Sequence, residues 1–288
     1  MKRIFHLFRI DHVLGFYRIY SFPWRPTRNK QFLALDWNEM LGRTEGRAPH
    51  FAPRDDSTPE NCEANRREGE EYLRVVLEES GSTLVIGEDL GTVPDEIRER
   101  LAAARVLSYR VLYFERWPDG AWKPPTAYPD QALAVVTTHD LPTLTGFWAG
   151  KDIEVRGNLG AYPDDQAKRA AWETRYQDKL KIWQALKKEG LLPLGLPDDL
   201  AAVPQMTPEL CTALYTYLAR TPSWVVLAAL EDVAGEISQT NFPGTVDTYP
   251  NWSQKLTMTL EALRADPRPP QIAGSLQAVR PSKSSGSW

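Results

Sequence analysis

The stretch LVIGEDLGTVPDEIRERL, Leu84 to Leu101, holds a strand, a turn and a helix in eighteen residues. Leu84, Val85 and Ile86 form a short apolar run without alternation, the pattern of a strand buried on both faces of a parallel sheet. Gly91 breaks the run, and Thr92 is placed to cap the next helix. Pro94 suits a first helical turn, while Asp95 and Glu96 put negative charge where the helix dipole favours it. Ile97 and Leu101, four residues apart, set one apolar face. Between strand and helix stands GEDLG, Gly87 to Gly91, so a carboxylate is carried on the turn itself.

Outward from this unit the pattern recurs. Apolar runs at Ile4–Ile10, Val111–Phe114, Leu133–Val136 and Trp224–Leu230 read as further strands, making five with the first. Helices are expected over about Glu68 to Glu79, and around Trp172, Tyr176, Leu180 and Trp183, where Lys187 and Lys188 fill a last turn and Gly190 stops it. Another comes after Pro208 through Leu210, Leu214 and Leu218. Strands alternating with helices argue for an α/β fold. From Asp266 the composition shifts to Pro, Ser, Arg and Gly, so residues 266–288 are expected to be a disordered tail behind a single domain over 1–265.

Composition limits the function classes. A net charge of -4 offers no general attraction for nucleic acid or anionic membranes. No apolar run approaches the roughly 20 residues that span a bilayer, and Asp11 and His12 interrupt the opening MKRIFHLFRI before it resembles an export signal. Cys62 and Cys211 make a poor disulfide framework and too few ligands for a structural zinc, which points to a reducing cytoplasm. His6 and His50 lack partners at metal-ligand spacing, and the charge-rich Pro53–Asp56 and Asn61–Tyr72 segments read as a solvated loop leading into a helix. GEDLG lacks the lysine and spacing of a phosphate loop.

Three acidic motifs stand after expected strands: RIDH at Arg9–His12, GEDLG, and TTHD at Thr137–Asp140. In parallel α/β barrels, catalytic groups sit on loops at the C-terminal strand ends. Retaining glycoside chemistry needs one carboxylate as nucleophile and a second as acid, about 5–5.5 Å apart. Asp11 and Glu88 suit those roles. Asp140 suits binding of sugar hydroxyls as the ring flattens toward an oxocarbenium ion, with His12 and His139 as added donors. Arg9, two residues before Asp11 on the same strand face, favours its ionised form.

FRIDHVLGFYRIY (Phe8–Tyr20), VIGEDLGTVP (Val85–Pro94), TTHDLPT (Thr137–Thr143) and QTNFPGT with YPNW (Gln239–Trp252) together resemble the 4-α-glucanotransferases of glycoside hydrolase family 77, the amylomaltases or disproportionating enzymes. The resemblance covers roughly Arg3 to Leu263. It implies a partial TIM (β/α)8 barrel, strands four to eight with helical insertions, that moves α-1,4-glucan segments between maltooligosaccharides or starch chains and glucose or glucan acceptors. By the same resemblance Asp11 is the nucleophile, Glu88 the general acid/base and Asp140 the transition-state stabiliser. Arg9, His12, His139, Asn241 and Pro243 would then bind substrate, and no metal or organic cofactor is needed.

Two departures qualify the likeness. The RIDH aspartate belongs to the fourth strand of the family's barrel but is residue 11 here, so three βα units are expected to be missing, and activity is expected only where a separate chain or another source restores them. Ser253 stands after PNW where many relatives carry arginine. Competing expectations are a non-catalytic glucan-binding remnant, an α-glucan hydrolase of the same clan, and a fragment that folds poorly.

Overall fold

The computed structural model describes residues 4–281 apart from Thr92 and Asp198. It forms two units that divide between Ser108 and Tyr109. The first contains strand β1 (Leu7–Ile10), a 3-10 turn at Val13–Phe16 and strand β2 (Ile19–Ser21), then helices α1 (Asn29–Phe32) and α2 (Trp37–Arg43). Next come strand β3 (His50–Ala52), helix α3 (Pro59–Ser80), strand β4 (Leu84–Gly87) and helix α4 (Asp95–Ala103), and strand β5 (Leu107–Val111) runs across the division.

β1 and β4 pair in parallel from Leu7↔Leu84 to Ile10↔Gly87, and β4 continues to β5 through Ile86↔Leu107 and Gly87↔Ser108. Val13, Leu14, Tyr17, Leu73, Val85 and Ile97 bury together, so the 3-10 turn, α3 and α4 cover this part of the sheet. The apolar face read from Ile97 and Leu101 is the one buried. α3 comes close enough that a Cβ on Gly69 would stand 2.3 Å from the Tyr17 ring, so only glycine fits there. β2 and β3 form a separate antiparallel pair, joined across the strands by Tyr20 against Phe51 at 4.9 Å.

Boundaries differ from the sequence reading for local reasons. α3 begins at Pro59, nine residues before the expected start, because Thr58 accepts a hydrogen bond from the Asn61 N–H and Pro59 opens the first turn. Asn61–Tyr72 is therefore helix. α4 begins at Asp95 with Pro94 in the cap position, and the expected cap, Thr92, lies outside the described residues. The strand expected at Val111–Phe114 instead occupies Leu107–Val111, and Leu112–Phe114 turns into a 3-10 helix.

The second unit holds β6 (Ala132–Val135), α5 (Leu144–Ala149), α6 (Lys151–Asn158), α7 (Asp165–Lys188), α8 (Pro208–Ala219), β7 (Val225–Leu227), α9 (Leu230–Ala234), α10 (Leu260–Ala265) and α11 (Arg268–Val279). All four residues of β6 are buried, as a parallel strand covered on both faces requires, and it pairs in parallel with β7 from Leu133↔Val225 to Val135↔Leu227. In the first unit the hydrogen-bonded strand order is thus β1–β4–β5, and in the second β6 lies beside β7. Asp164 caps α7 by accepting from the Ala167 N–H, and Lys187 and Lys188 occupy its last turn as the sequence indicated. Asp152 of α6 and Arg175 of α7 form a bidentate pair at 2.9 Å on both arms, each side chain 11% exposed.

The stretch expected to be an unordered tail forms α11 over Arg268–Val279, packed on α8. Ile272 is buried there, the Arg268 guanidinium donates to the Ala234 carbonyl, and Arg280 donates to the carbonyls of Thr221 and Ser223. Polar composition misled because those arginines pair with backbone carbonyls instead of water. Residues 282–288 lie outside the described part.

Asp232, at the start of α9, joins three elements. Its carboxylate accepts from the Leu144 N–H and the Tyr215 hydroxyl, both at 2.7 Å, and that hydroxyl accepts from the Ala229 N–H at 3.0 Å. Burial pushes its carboxyl up to about 6, against the opposing effect of the two donors. An unfolded Asp titrates near 3.9, so the folded form holds its proton to higher pH. The contribution is therefore complete below about pH 4 and disappears as pH rises through about 6, a change of about 3 kcal/mol. Denaturant titrations from pH 4 to 7.5 should show wild type losing about that much stability relative to Asp232→Asn, whose amide does not titrate. A pH-independent difference would refute this.

Among the described residues no helix is long and apolar enough to cross a membrane, and no cluster of His, Cys, Asp or Glu is arranged to hold a metal ion.

Candidate active site

In the first unit the residues expected to be functional stand where β1 and β4 end. Asp11 comes directly after β1 and Glu88 directly after β4. The two turns are tied by backbone bonds: Glu88 N–H donates to the Ile10 carbonyl at 2.9 Å, and Val13 N–H to the Glu88 carbonyl at 3.2 Å. His12 takes the left-handed conformation, φ 48°, unusual for a residue with a side chain. In that conformation its own N–H donates to Glu88 Oε2 at 2.7 Å. The sequence reading expects the His12 imidazole to donate to the sugar, and the backbone bond to Glu88 is a separate contact.

Arg9 links the acids. Its Nη2 lies 2.6 Å from Asp11 Oδ1 and 3.8 Å from Glu88 Oε2. Those two oxygens can be no farther apart than the two distances laid end to end. This bound is compatible with the roughly 5–5.5 Å of retaining sites. Glu88 is 14% exposed and Asp11 78%, so one carboxylate is enclosed and its neighbour is open to water.

A residue that the sequence reading passed over supports this turn. Asp89 is buried, accepts from the Ser108 hydroxyl at 2.6 Å and pairs with Arg98 of α4 at 3.6 Å. The signal was present in GEDLG, where the second acid stands beside the first.

In the second unit TTHD leaves β6 and meets QTNFPGT. Asn241 N–H donates to the His139 carbonyl at 3.0 Å, and Asn241 Nδ2 donates to Asp140 Oδ1 at 2.6 Å. His139 Nε2 approaches the other carboxylate oxygen at 3.4 Å. Pro243 and Gly244 form an exposed tight turn, closed by the Thr245 N–H on the Phe242 carbonyl, with Gly244 at φ 85° as a type II turn requires. Asn251 of YPNW braces it by accepting from the Phe242 N–H and donating to the Thr245 carbonyl. Trp252, also overlooked in the sequence, lies 4.9 Å from the His139 ring, while Ser253 only donates to the Pro250 carbonyl within its own turn.

Beside His139 a cavity of about 230 Å³ is lined by Val136, Thr137, Leu227, Glu231 and Thr240. It mixes apolar walls with a few polar groups, the usual make-up of a small-ligand site. The structure thus gathers Arg9, Asp11, His12 and Glu88 in one unit, and His139, Asp140 and Asn241 in the other.

The sequence profile of glycoside hydrolase family 77, 4-alpha-glucanotransferase, matches residues 1–260. The chain belongs to this family. It is 31% identical over 282 residues to the 4-alpha-glucanotransferase of Mycobacterium tuberculosis, covering 94% of this chain and 34% of that one. It is also 31% identical over 260 residues to the Haemophilus influenzae 4-alpha-glucanotransferase, covering 89% and 32% respectively. The chain thus spans about a third of the length of the curated relatives it matches. The crystal structure of amylomaltase from Corynebacterium glutamicum aligns over 96% of this chain and 36% of that one, with a TM-score of 0.74 and 26% identity. An amylomaltase from Streptococcus agalactiae in complex with acarbose shares the fold at a TM-score of 0.56 and 17% identity. The fold expected from the family, a partial (β/α) barrel with helical insertions, agrees with the Corynebacterium amylomaltase and with the parallel pairing of β1 with β4, β4 with β5 and β6 with β7.

Proposed function

We propose that the chain is a retaining 4-α-glucanotransferase acting on α-1,4-glucans. Asp11 attacks the anomeric carbon of the donor glucosyl unit while Glu88 gives its proton to the departing glycosidic oxygen. The first product leaves, and a glucosyl ester on Asp11 remains. Glu88, now a carboxylate, takes the proton from an acceptor hydroxyl, whose oxygen attacks the anomeric carbon and breaks its bond to the Asp11 carboxylate, freeing Asp11. Asp140, oriented by Asn241, accepts hydrogen bonds from the sugar hydroxyls and holds them more tightly as positive charge develops on the ring. Arg9 and His139 support the donor sugar, and the chemistry needs no metal or organic cofactor.

The observation that carries this reading is Arg9 Nη2 within reach of both Asp11 and Glu88 at the ends of neighbouring parallel strands. Family membership favours transfer over hydrolysis, because the two reactions share the ester and differ only in the second nucleophile. With Asp11 open to water, hydrolysis competes. We place the protein in the cytoplasm, where its two free cysteines, Cys62 and Cys211, stay reduced.

Purified chain incubated with maltotriose tests the reading. Glucose together with maltotetraose and longer chains is the expected result. Glucose and maltose alone would make it a hydrolase, and unchanged maltotriose, both with the chain alone and with a chain carrying the family's first three βα units added, would overturn the catalytic assignment.

A further inference from the structure

A second cavity, about 210 Å³, lies in the second unit between the loop after β5 and the last turns of α7. Trp117, Trp122, Pro124, Lys181, Gln184 and Glu189 line it. None belongs to the acidic motifs or to the loops that carry them.

The loop is built to hold its tryptophans in place. Trp117 N–H donates to the Ala121 carbonyl at 2.7 Å, and Gly120 N–H returns to the Trp117 carbonyl at 2.8 Å. Gly120 sits at φ 79°, a conformation glycine adopts without strain. Lys181 Nζ ties the turn to α7 by donating to the Asp119 carbonyl at 3.2 Å, and the Arg116 guanidinium stacks 4.2 Å over the Trp122 ring. Held by this bracing, Trp117 stays 47% exposed at the edge of the cavity.

The second observation is polar. Trp122 is 6% exposed, and its indole Nε1–H has no hydrogen-bond partner among the described residues. Buried donors in native proteins are almost always paired, so this one invites an explanation. Gln184, exposed on α7, likewise makes no side-chain hydrogen bond among the described residues, whereas Glu189 is held by Arg220 at 3.6 Å.

A half-exposed indole, with the Lys123 ammonium 5.7 Å from its centroid, beside amide, ammonium and carboxylate groups matches a pyranose ring, which presents apolar C–H groups on its faces and hydroxyls around its rim. At about 210 Å³ the cavity is smaller than the roughly 300–1,000 Å³ of drug-sized pockets, enough for one sugar of a longer chain. We propose that this cavity is an auxiliary α-glucan site that grips one glucose unit of a maltooligosaccharide outside the catalytic residues. It rests on the glucan reading of the catalytic residues, and its role is to retain long substrates near the enzyme.

The test is indole N–H NMR of the full chain titrated with maltoheptaose, with Trp117, Trp122 and Trp252 signals assigned through single Trp→Phe variants. Trp252, beside His139, reports on the candidate active site, and the other two report on this cavity. The expected result is saturable shifts at Trp117 and Trp122, with Trp117→Ala weakening the affinity read at Trp122 about tenfold while leaving the Trp252 curve unchanged. Gln184→Ala, an exposed change that leaves the fold alone, should weaken it as well. Shifts at Trp252 alone would overturn the auxiliary site and leave the glucan reading intact. Stationary signals at all three would overturn both. Shifts produced by sodium phosphate and not by maltoheptaose would make the cavity an anion site and refute the proposal.

Discussion

Asp11→Asn is expected to bring transfer between maltooligosaccharides down to background, and Glu88→Gln to lower it about 10²–10⁴-fold. The two losses have different causes, which a change of donor separates. A glycosyl fluoride leaves without being protonated, so Glu88→Gln should still consume α-maltosyl fluoride in the first step, whereas Asp11→Asn has nothing to form the ester with. Asp11 is 78% exposed and its carboxylate pairs with Arg9 at the surface, so its replacement by the isosteric amide should change stability by no more than about 0.5 kcal/mol. Circular dichroism verifies that the fold persists. If Asp11→Asn keeps wild-type turnover on maltotriose, the nucleophile is another residue and the double-displacement assignment is wrong.

Arg175→Ala is expected to destabilise the second unit by about 3–5 kcal/mol. Three interactions are lost together. The guanidinium pairs with both oxygens of Asp152, donates to the Phe147 carbonyl at 2.5 Å and lies 3.9 Å over the Phe147 ring, so it joins α5, α6 and α7. What dominates is the carboxylate left behind: Asp152, 11% exposed, would stay buried without a counter-charge. The double replacement Asp152→Leu with Arg175→Met removes both charges and should recover most of the loss. Thermal unfolding of wild type and the two variants distinguishes this from a packing role for Arg175, in which the double variant would be no better than the single one.

The fold and the candidate site were legible to different depths. The apolar runs around Leu84 and Leu133 became β4 and β6, because burial on both faces leaves a continuous hydrophobic signature that needs no tertiary information. Leu107–Val111 was displaced in the reading because Ser108 and Arg110 interrupt its apolar run, although Leu107, Tyr109 and Val111 are the residues that face inward. The β2–β3 pair was missed altogether: three-residue strands are held by pairing across some thirty residues, and local sequence carries no trace of the partner. α11 was read as unordered for a related reason, since its anchors, the carbonyls of Ala234, Thr221 and Ser223, are set by the end of α9 and the loop before β7.

By itself the sequence determined the family, the strand-then-acid placement of Asp11 and Glu88, and TTHD a few residues beyond β6, because motif identity and hydrophobic period are properties of the local chain. Only the tertiary structure decided that the His12 backbone meets Glu88, that Arg9 reaches two carboxylates, that Asn241 holds Asp140 from a hundred residues away, and that Trp122 is buried with no partner for its indole N–H among the described residues. Those contacts depend on distances and directions between segments far apart in sequence. Hydrogen bonds lose most of their strength within an ångström or with poor alignment, so no one-dimensional pattern encodes them.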